Sequence, residues 1–129
     1  MRARARRTVL VIDDEAQVRS VVEQYLTEAG FEVRVAADGR QALELVQSQP
    51  RLDAIVLDLL MPVMSGFEVL SALRIMPGWA TIPVVVISAS TDYPAEHLGA
   101  DAVLQKPFTA ASLTAAVERA IGSKRAMQG

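Results

Sequence analysis

The strand-like apolar runs of this chain stop at residues able to do chemistry together. Asp13, Asp14 and Glu15 follow Thr8–Ile12, Asp58 follows Ala54–Leu57, Ser88 follows Ile82–Ile87, and Lys106-Pro107 follows the short run Ala102–Leu104. Carboxylates gathered at one edge repel each other and hold protons more tightly unless a cation compensates them. The chain has no cysteine and its one histidine, His97, lies elsewhere, so the donors are oxygens and suit a hard ion. Mg2+ commonly takes one or two carboxylates plus waters and phosphate oxygens; Ca2+ suits less well, because no dense ligand loop is present. Lys106 offers a fixed positive charge and Ser88 a hydroxyl, both able to hold oxygens of a phosphoryl group bound to the same metal. Asp58 can then act as the nucleophile. Any one of these aspartates alone could be only a helix N-cap; the set is what points to a site.

These residues meet only if the runs before them are strands whose carboxyl ends share one edge, where open α/β sheets bind ligands. The patterning fits that demand. Thr8–Ile12 leads into a helix with Val18, Val21, Val22, Tyr25, Leu26 and Ala29 at three- and four-residue steps, capped by Gly30. A weaker strand, Glu32–Ala36, is followed by Asp38-Gly39 opening a short helix with Ala42, Leu43, Leu45 and Val46 before Pro50. Ala54–Leu57 and Ile82–Ile87 are nearly unbroken apolar runs, as central parallel strands covered on both faces require. Between them Ser65 caps a helix using Phe67, Val69, Leu70 and Leu73, and Pro77-Gly78 breaks it into a loop around a packing residue, Trp79. The last unit joins Ala102–Leu104 to a helix capped by Thr109, carrying Leu113, Ala116, Val117, Ala120 and Ile121 and stopped by Gly122. The alternation predicts a doubly wound α/β sheet.

Length and composition set the outer bounds. The 129 residues, 51% hydrophobic and 22% charged, suit one domain with a real core. We expect 1–7 as a disordered basic arm carrying Arg2, Arg4, Arg6 and Arg7, 8–122 as the domain, and 123–129 as a polar tail. That tail is far too short to be an output domain. A net charge of −2 makes no electrostatic case for direct binding to nucleic acid or to an anionic membrane. The run Val9–Ile12 is too short to export or anchor the chain, and the lack of cysteine suits a reducing cytoplasm.

The segments Val9–Glu15, Ile55–Pro62, Ile82–Ala89 and Gly99–Phe108, in this order and with their intervals, resemble the receiver domain of two-component response regulators over roughly residues 8–122. The resemblance implies a flavodoxin-like, five-stranded parallel sheet of order 2-1-3-4-5. It also implies that Asp58 accepts a phosphoryl group from the phosphohistidine of a sensor histidine kinase or phosphotransfer protein, or from a small phosphodonor. Asp14, Asp58 and the Leu60 main-chain carbonyl would ligate Mg2+, with Asp13 acting through water. Lys106, Ser88 and the Ala89 amide would hold the phosphoryl oxygens, and the Lys106-Pro107 bond would be cis. Output would pass through protein contacts made by a monomer or weak dimer.

Two departures from the family's pattern bear on output. The family moves its hydroxyl residue, here Ser88, toward the phosphoryl oxygens and turns a fifth-strand aromatic inward; here that position is Val103, which has no ring. The interval from Ser88 to Lys106 is also about one helical turn short. Ser90–Gly99 therefore holds only a stub of a fourth helix, short or mobile, with Pro94 in its first turn. Both departures fall on the face the family often uses for dimerisation. Leu60 and Ser90 occupy the two positions that tune self-dephosphorylation, and Leu60 cannot orient an attacking water, so slow loss of the phosphoryl group is expected. His97 reads as a surface residue, and Met61 and Met64 as packing.

Other functions fit less well. An aspartyl phosphatase or phosphotransferase would need an acid two residues past the nucleophile, where Leu60 stands. A flavin domain would need a phosphate cradle where Asp13-Asp14-Glu15 would repel phosphate. A degenerate receiver acting as a phosphorylation-independent scaffold is the alternative that keeps the fold.

Overall fold

Within each apolar run, alternate side chains part to opposite faces of one sheet. In the computed structural model, which describes residues 6–48, 51–61, 64–90, 92 and 94–128, the strands are β1 (Thr8–Ile12), β2 (Glu32–Ala36), β3 (Ala54–Asp58), β4 (Val84–Ser88) and β5 (Ala102–Gln105). They form a single parallel sheet in the order β2-β1-β3-β4-β5, as the resemblance implies. The helices are α1 (Ala16–Glu28), α2 (Gly39–Ser48), α3 (Gly66–Ile75), α4 (Ala95–Leu98) and α5 (Ala110–Gln128). Leu10, Ile12, Ile55, Leu57, Val84 and Val86 face α2 and α3, whereas Val9, Val11, Val56, Val85 and Ile87 face α1 and α5. Both faces are covered, so the runs need not alternate with polar residues.

Two aspartates start the strands in register. Asp53 accepts the Thr8 N–H on Oδ2 at 2.8 Å and donates its own N–H to the Thr8 carbonyl at 2.8 Å. Asp101 makes the same pair of bonds to Val84, at 2.7 and 2.9 Å. The strand registers that bring Ile12 opposite Leu57 and Ser88 opposite Gln105 are thus pinned from the far end of the sheet.

The helix ends follow local chemistry. Ser65 and Glu68 form a reciprocal capping box on α3, Asp38 Oδ1 accepts the Gln41 N–H at the start of α2, and Thr109 Oγ1 accepts the Ser112 N–H at the start of α5. Gly30, at φ 98°, follows α1 in the left-handed conformation that ends many helices. α4 is one turn of four residues, the stub expected, and Pro94 stands at its N-cap rather than inside its first turn. Arg74, in the last turn of α3, ties down the far end of that stub. Its guanidinium donates to the Gly99 carbonyl at 2.7 and 3.1 Å and to the Ala80 and Ile82 carbonyls at 3.1 and 2.9 Å.

Four local expectations are corrected. α2 is not short, spanning ten residues, and Pro50, expected to end it, lies outside the described residues, as do Pro62 and Tyr93. β4 begins at Val84, two residues later than the apolar run, because Pro83 lacks an N–H for the ladder. α5 does not stop at Gly122 but continues to Gln128. A glycine inside a helix costs about 1 kcal/mol, and the Lys124–Asp101 ion pair at 3.3 Å holds the turn beyond it onto the body. Arg7, assigned to the loose arm, instead pairs with Glu118 and lies 4.7 Å over the Phe31 ring; residues 1–5 of the arm lie outside the described residues.

Gly66 fixes how close α3 comes to the functional edge. Its N–H donates to the Leu59 carbonyl at 2.8 Å. A Cβ there would fall 2.4 Å from the Asp58 carbonyl oxygen and 2.7 Å from Leu59 Cα, main-chain atoms that cannot yield without moving the strand end. Gly66→Ala should lower the unfolding free energy by about 1–3 kcal/mol in urea denaturation, the range for overpacking; an unchanged midpoint would show that the helix start moves freely.

Candidate functional site

Parallel strands deliver their final residues to one edge. Asp58 is the last residue of β3 and 3% exposed, and Asp13, one step past β1, is fully buried. Asp14 is exposed, yet carboxylate oxygens of Asp13, Asp14 and Asp58 lie within 4.8 Å of one another. Lys106 arrives from the end of β5, its N–H donated to the Ser88 carbonyl at 2.8 Å. Its Nζ is shared, at 3.5 Å from Asp58 Oδ1, 3.7 Å from Asp13 Oδ2 and 3.7 Å from Glu15 Oε1. The Lys106-Pro107 bond is cis.

The electrostatics are unbalanced. One ammonium faces four carboxylates, and two of these are buried. Burial, then the charge of Asp13, pushes the Asp58 carboxyl up to about 6, against the opposing pull of Lys106 and a hydrogen bond from the Leu60 main chain. Burial likewise raises Asp13 above the usual carboxylate range. Asp13 Oδ1 accepts the Glu15 N–H at 2.9 Å, while Oδ2 is buried and, among the described residues, has no hydrogen-bond partner. Buried polar atoms are normally satisfied. A buried carboxylate oxygen that has no hydrogen bond and shares one ammonium with two other carboxylates belongs to a donor set a hard divalent cation completes, so these residues fit Mg2+.

The other residues expected at the site lie at the same edge. Ser88 ends β4, one residue beyond the partner of Asp58, with its hydroxyl buried and accepting the Ser90 N–H at 3.1 Å. Ala89 is exposed at the same edge, and Leu60 stands two residues past Asp58 with its side chain 56% exposed. Val103 is half-buried and packed on the core without a ring. The sequence did not single out Arg19, whose Nη1 donates to the Asp13 carbonyl at 2.7 Å. Its only trace in the sequence is a basic residue four positions after Glu15, one turn along the helix that follows the acidic cluster.

A doubly wound parallel sheet with an acidic, lysine-topped edge at the carboxyl ends of its strands differs from a nucleotide fold, which would present a cradle for phosphate there. The family model of the response regulator receiver domain matches residues 9–118, and the chain belongs to that family. It is 46% identical over 114 residues to the transcriptional regulatory protein PrrA of Mycobacterium tuberculosis, covering 85% of this chain and 48% of that protein. It therefore spans about half the length of that relative. It is 33% identical over 120 residues to the probable chemotaxis protein CheY of Rhizobium etli, covering 89% of this chain and 92% of that one. Among solved structures, the chemotaxis response regulator CheY4 of Vibrio cholerae superposes with a TM-score of 0.83 at 36% identity, covering 90% of this chain and 99% of that one. Among the described residues, no helix is long and apolar enough to cross a membrane.

The raised carboxyls link folding to pH. An acid whose folded pKa lies above its unfolded value of 3.8 opposes folding once it ionises, so metal-free stability should fall as pH rises from about 4 to about 6. Asp58→Asn should therefore stabilise the metal-free protein at pH 7 by about 2–3 kcal/mol and have little effect below pH 4. Urea denaturation at the two pH values checks this; equal effects at both would contradict it.

Proposed function

We propose that Asp58 takes a phosphoryl group from a phosphohistidine donor, a sensor histidine kinase or a phosphotransfer protein, or from a small phosphodonor. A carboxylate oxygen of Asp58 forms the new bond to phosphorus as the bond to the imidazole nitrogen breaks, its electron pair leaving with the imidazole. The observation that carries this reading is the convergence of buried Asp58 with Asp13, Asp14 and Lys106. Asp13, Asp14, Asp58 and the Leu60 carbonyl would hold Mg2+, which when bound neutralises charge on the transferred group. Lys106 leaves its shared position to pair with a phosphoryl oxygen, and the Ser88 hydroxyl and Ala89 N–H take the others. An open apolar groove of about 450 Å3 lies beside Lys106, lined by Val18, Val21, Pro107 and Phe108, and gives a donor a surface to rest on.

Output passes by protein contact from the segment after Ser88. Val103 offers no rotating ring, and α4 is a single turn, so the change at Asp58 is read as a change in the order of residues 89–98. The domain works as a monomer or weak dimer in the cytoplasm, without direct contact to nucleic acid or membrane. No acidic residue of the site has been replaced, which weighs against a scaffold that ignores phosphorylation.

Incubation with acetyl phosphate and Mg2+, followed by intact mass measurement, should add one phosphoryl mass to the wild type and none to Asp58→Asn. Absence of an Asp58-dependent gain would leave the scaffold reading. The exposed, apolar Leu60 cannot orient water, so after removal of the phosphodonor the modification should persist for minutes or longer; its loss within seconds would contradict this role for Leu60.

A further inference from the structure

Arg19 reaches back to the acidic edge without presenting itself as a ligand. It lies one turn into α1, where its main-chain N–H donates to the Glu15 carbonyl at 2.9 Å and its Nη1 donates to the Asp13 carbonyl at 2.7 Å. Among the described residues its guanidinium forms no ion pair. The Asp13 carbonyl lies beyond the last ladder pairs of β1, in which Ile12 stands opposite Ala36 and Leu57. Arg19 gives that carbonyl a charged, short hydrogen bond.

We infer that Arg19 is a positioning residue for cation binding, acting through the Asp13–Glu15 turn. The peptide that carries the Asp13 carbonyl also carries the Asp14 N–H, so holding one end fixes the direction in which Asp14 departs. The Glu15 N–H fixes the Asp13 carboxylate through Oδ1 at 2.9 Å, leaving Oδ2 buried, without a hydrogen bond and facing only the shared Lys106 ammonium at 3.7 Å. Arg19 and Glu15 thus lock the main chain and side chain of Asp13 separately. Groups that orient metal ligands in this way typically change affinity by about 10–100-fold when removed.

The sign of the effect separates positioning from plain electrostatics. A guanidinium near an acidic site repels a divalent cation, so charge alone predicts that its removal tightens binding. Positioning predicts that removal weakens it. The inference rests on the acidic edge being a Mg2+ site, so the test carries its own control. Titration calorimetry with magnesium chloride is run on the wild type, Asp13→Asn and Arg19→Gln, with trimethylamine N-oxide present to favour the folded chain. The wild type should bind Mg2+, and Asp13→Asn should bind it more weakly. Arg19→Gln should bind it about tenfold more weakly, with faster amide exchange at Glu15 and unchanged exchange in β3 and β4. No binding by the wild type, or equal binding by Asp13→Asn, would overturn the site itself. Normal behaviour of those two with unchanged or tighter binding by Arg19→Gln would overturn the role of Arg19 and leave the site standing.

Discussion

Too much negative charge is held in too little water at the carboxyl edge of the sheet, and the rest of the structure is arranged around that imbalance. Asp13 and Asp58 are buried where burial favours their protonated forms, and Lys106 is shared among three carboxylates at 3.5–3.7 Å. A lysine tightly paired with one of them would be costly to move. Sharing it at these distances leaves an uncompensated remainder of negative charge that would favour a divalent cation.

Holding such an edge requires rigidity elsewhere. The continuous apolar runs, covered on both faces, keep the strands in place, and the bonds of Asp53 and Asp101 set their register at the opposite end. Gly66 lets α3 start against the main chain of Asp58 and Leu59, closer than any side chain would permit. Beyond Ser88, α4 is a single turn held at its end by Arg74 reaching across from α3.

Much of this was legible in the residues themselves. Runs of branched apolar residues bounded by turn residues read as central strands, and polar residues at the ends of parallel strands gather at one edge, so Asp13, Asp58, Ser88 and Lys106 were legible as a set once pattern was combined with the family resemblance. The missing aromatic at Val103 and the short α4 were equally visible, as identity and spacing. What stayed hidden depended on tertiary contact. The continuation of α5 past Gly122 follows from the Lys124–Asp101 ion pair, and the docking of Arg7 from Phe31 and Glu118. Arg19 and Arg74 leave little local pattern, since their guanidinium hydrogen bonds go to main-chain carbonyls that any residue could have supplied.

If the charge imbalance is the organising constraint, the folded chain should be a better ligand for Mg2+ than the unfolded one, and stability should report it. The direct measurement is the unfolding free energy at pH 7 across a Mg2+ titration at constant ionic strength. We expect it to rise with the logarithm of Mg2+ concentration, reaching about 3 kcal/mol at a hundredfold excess over the dissociation constant. A free energy that stays flat through millimolar Mg2+ would contradict the account.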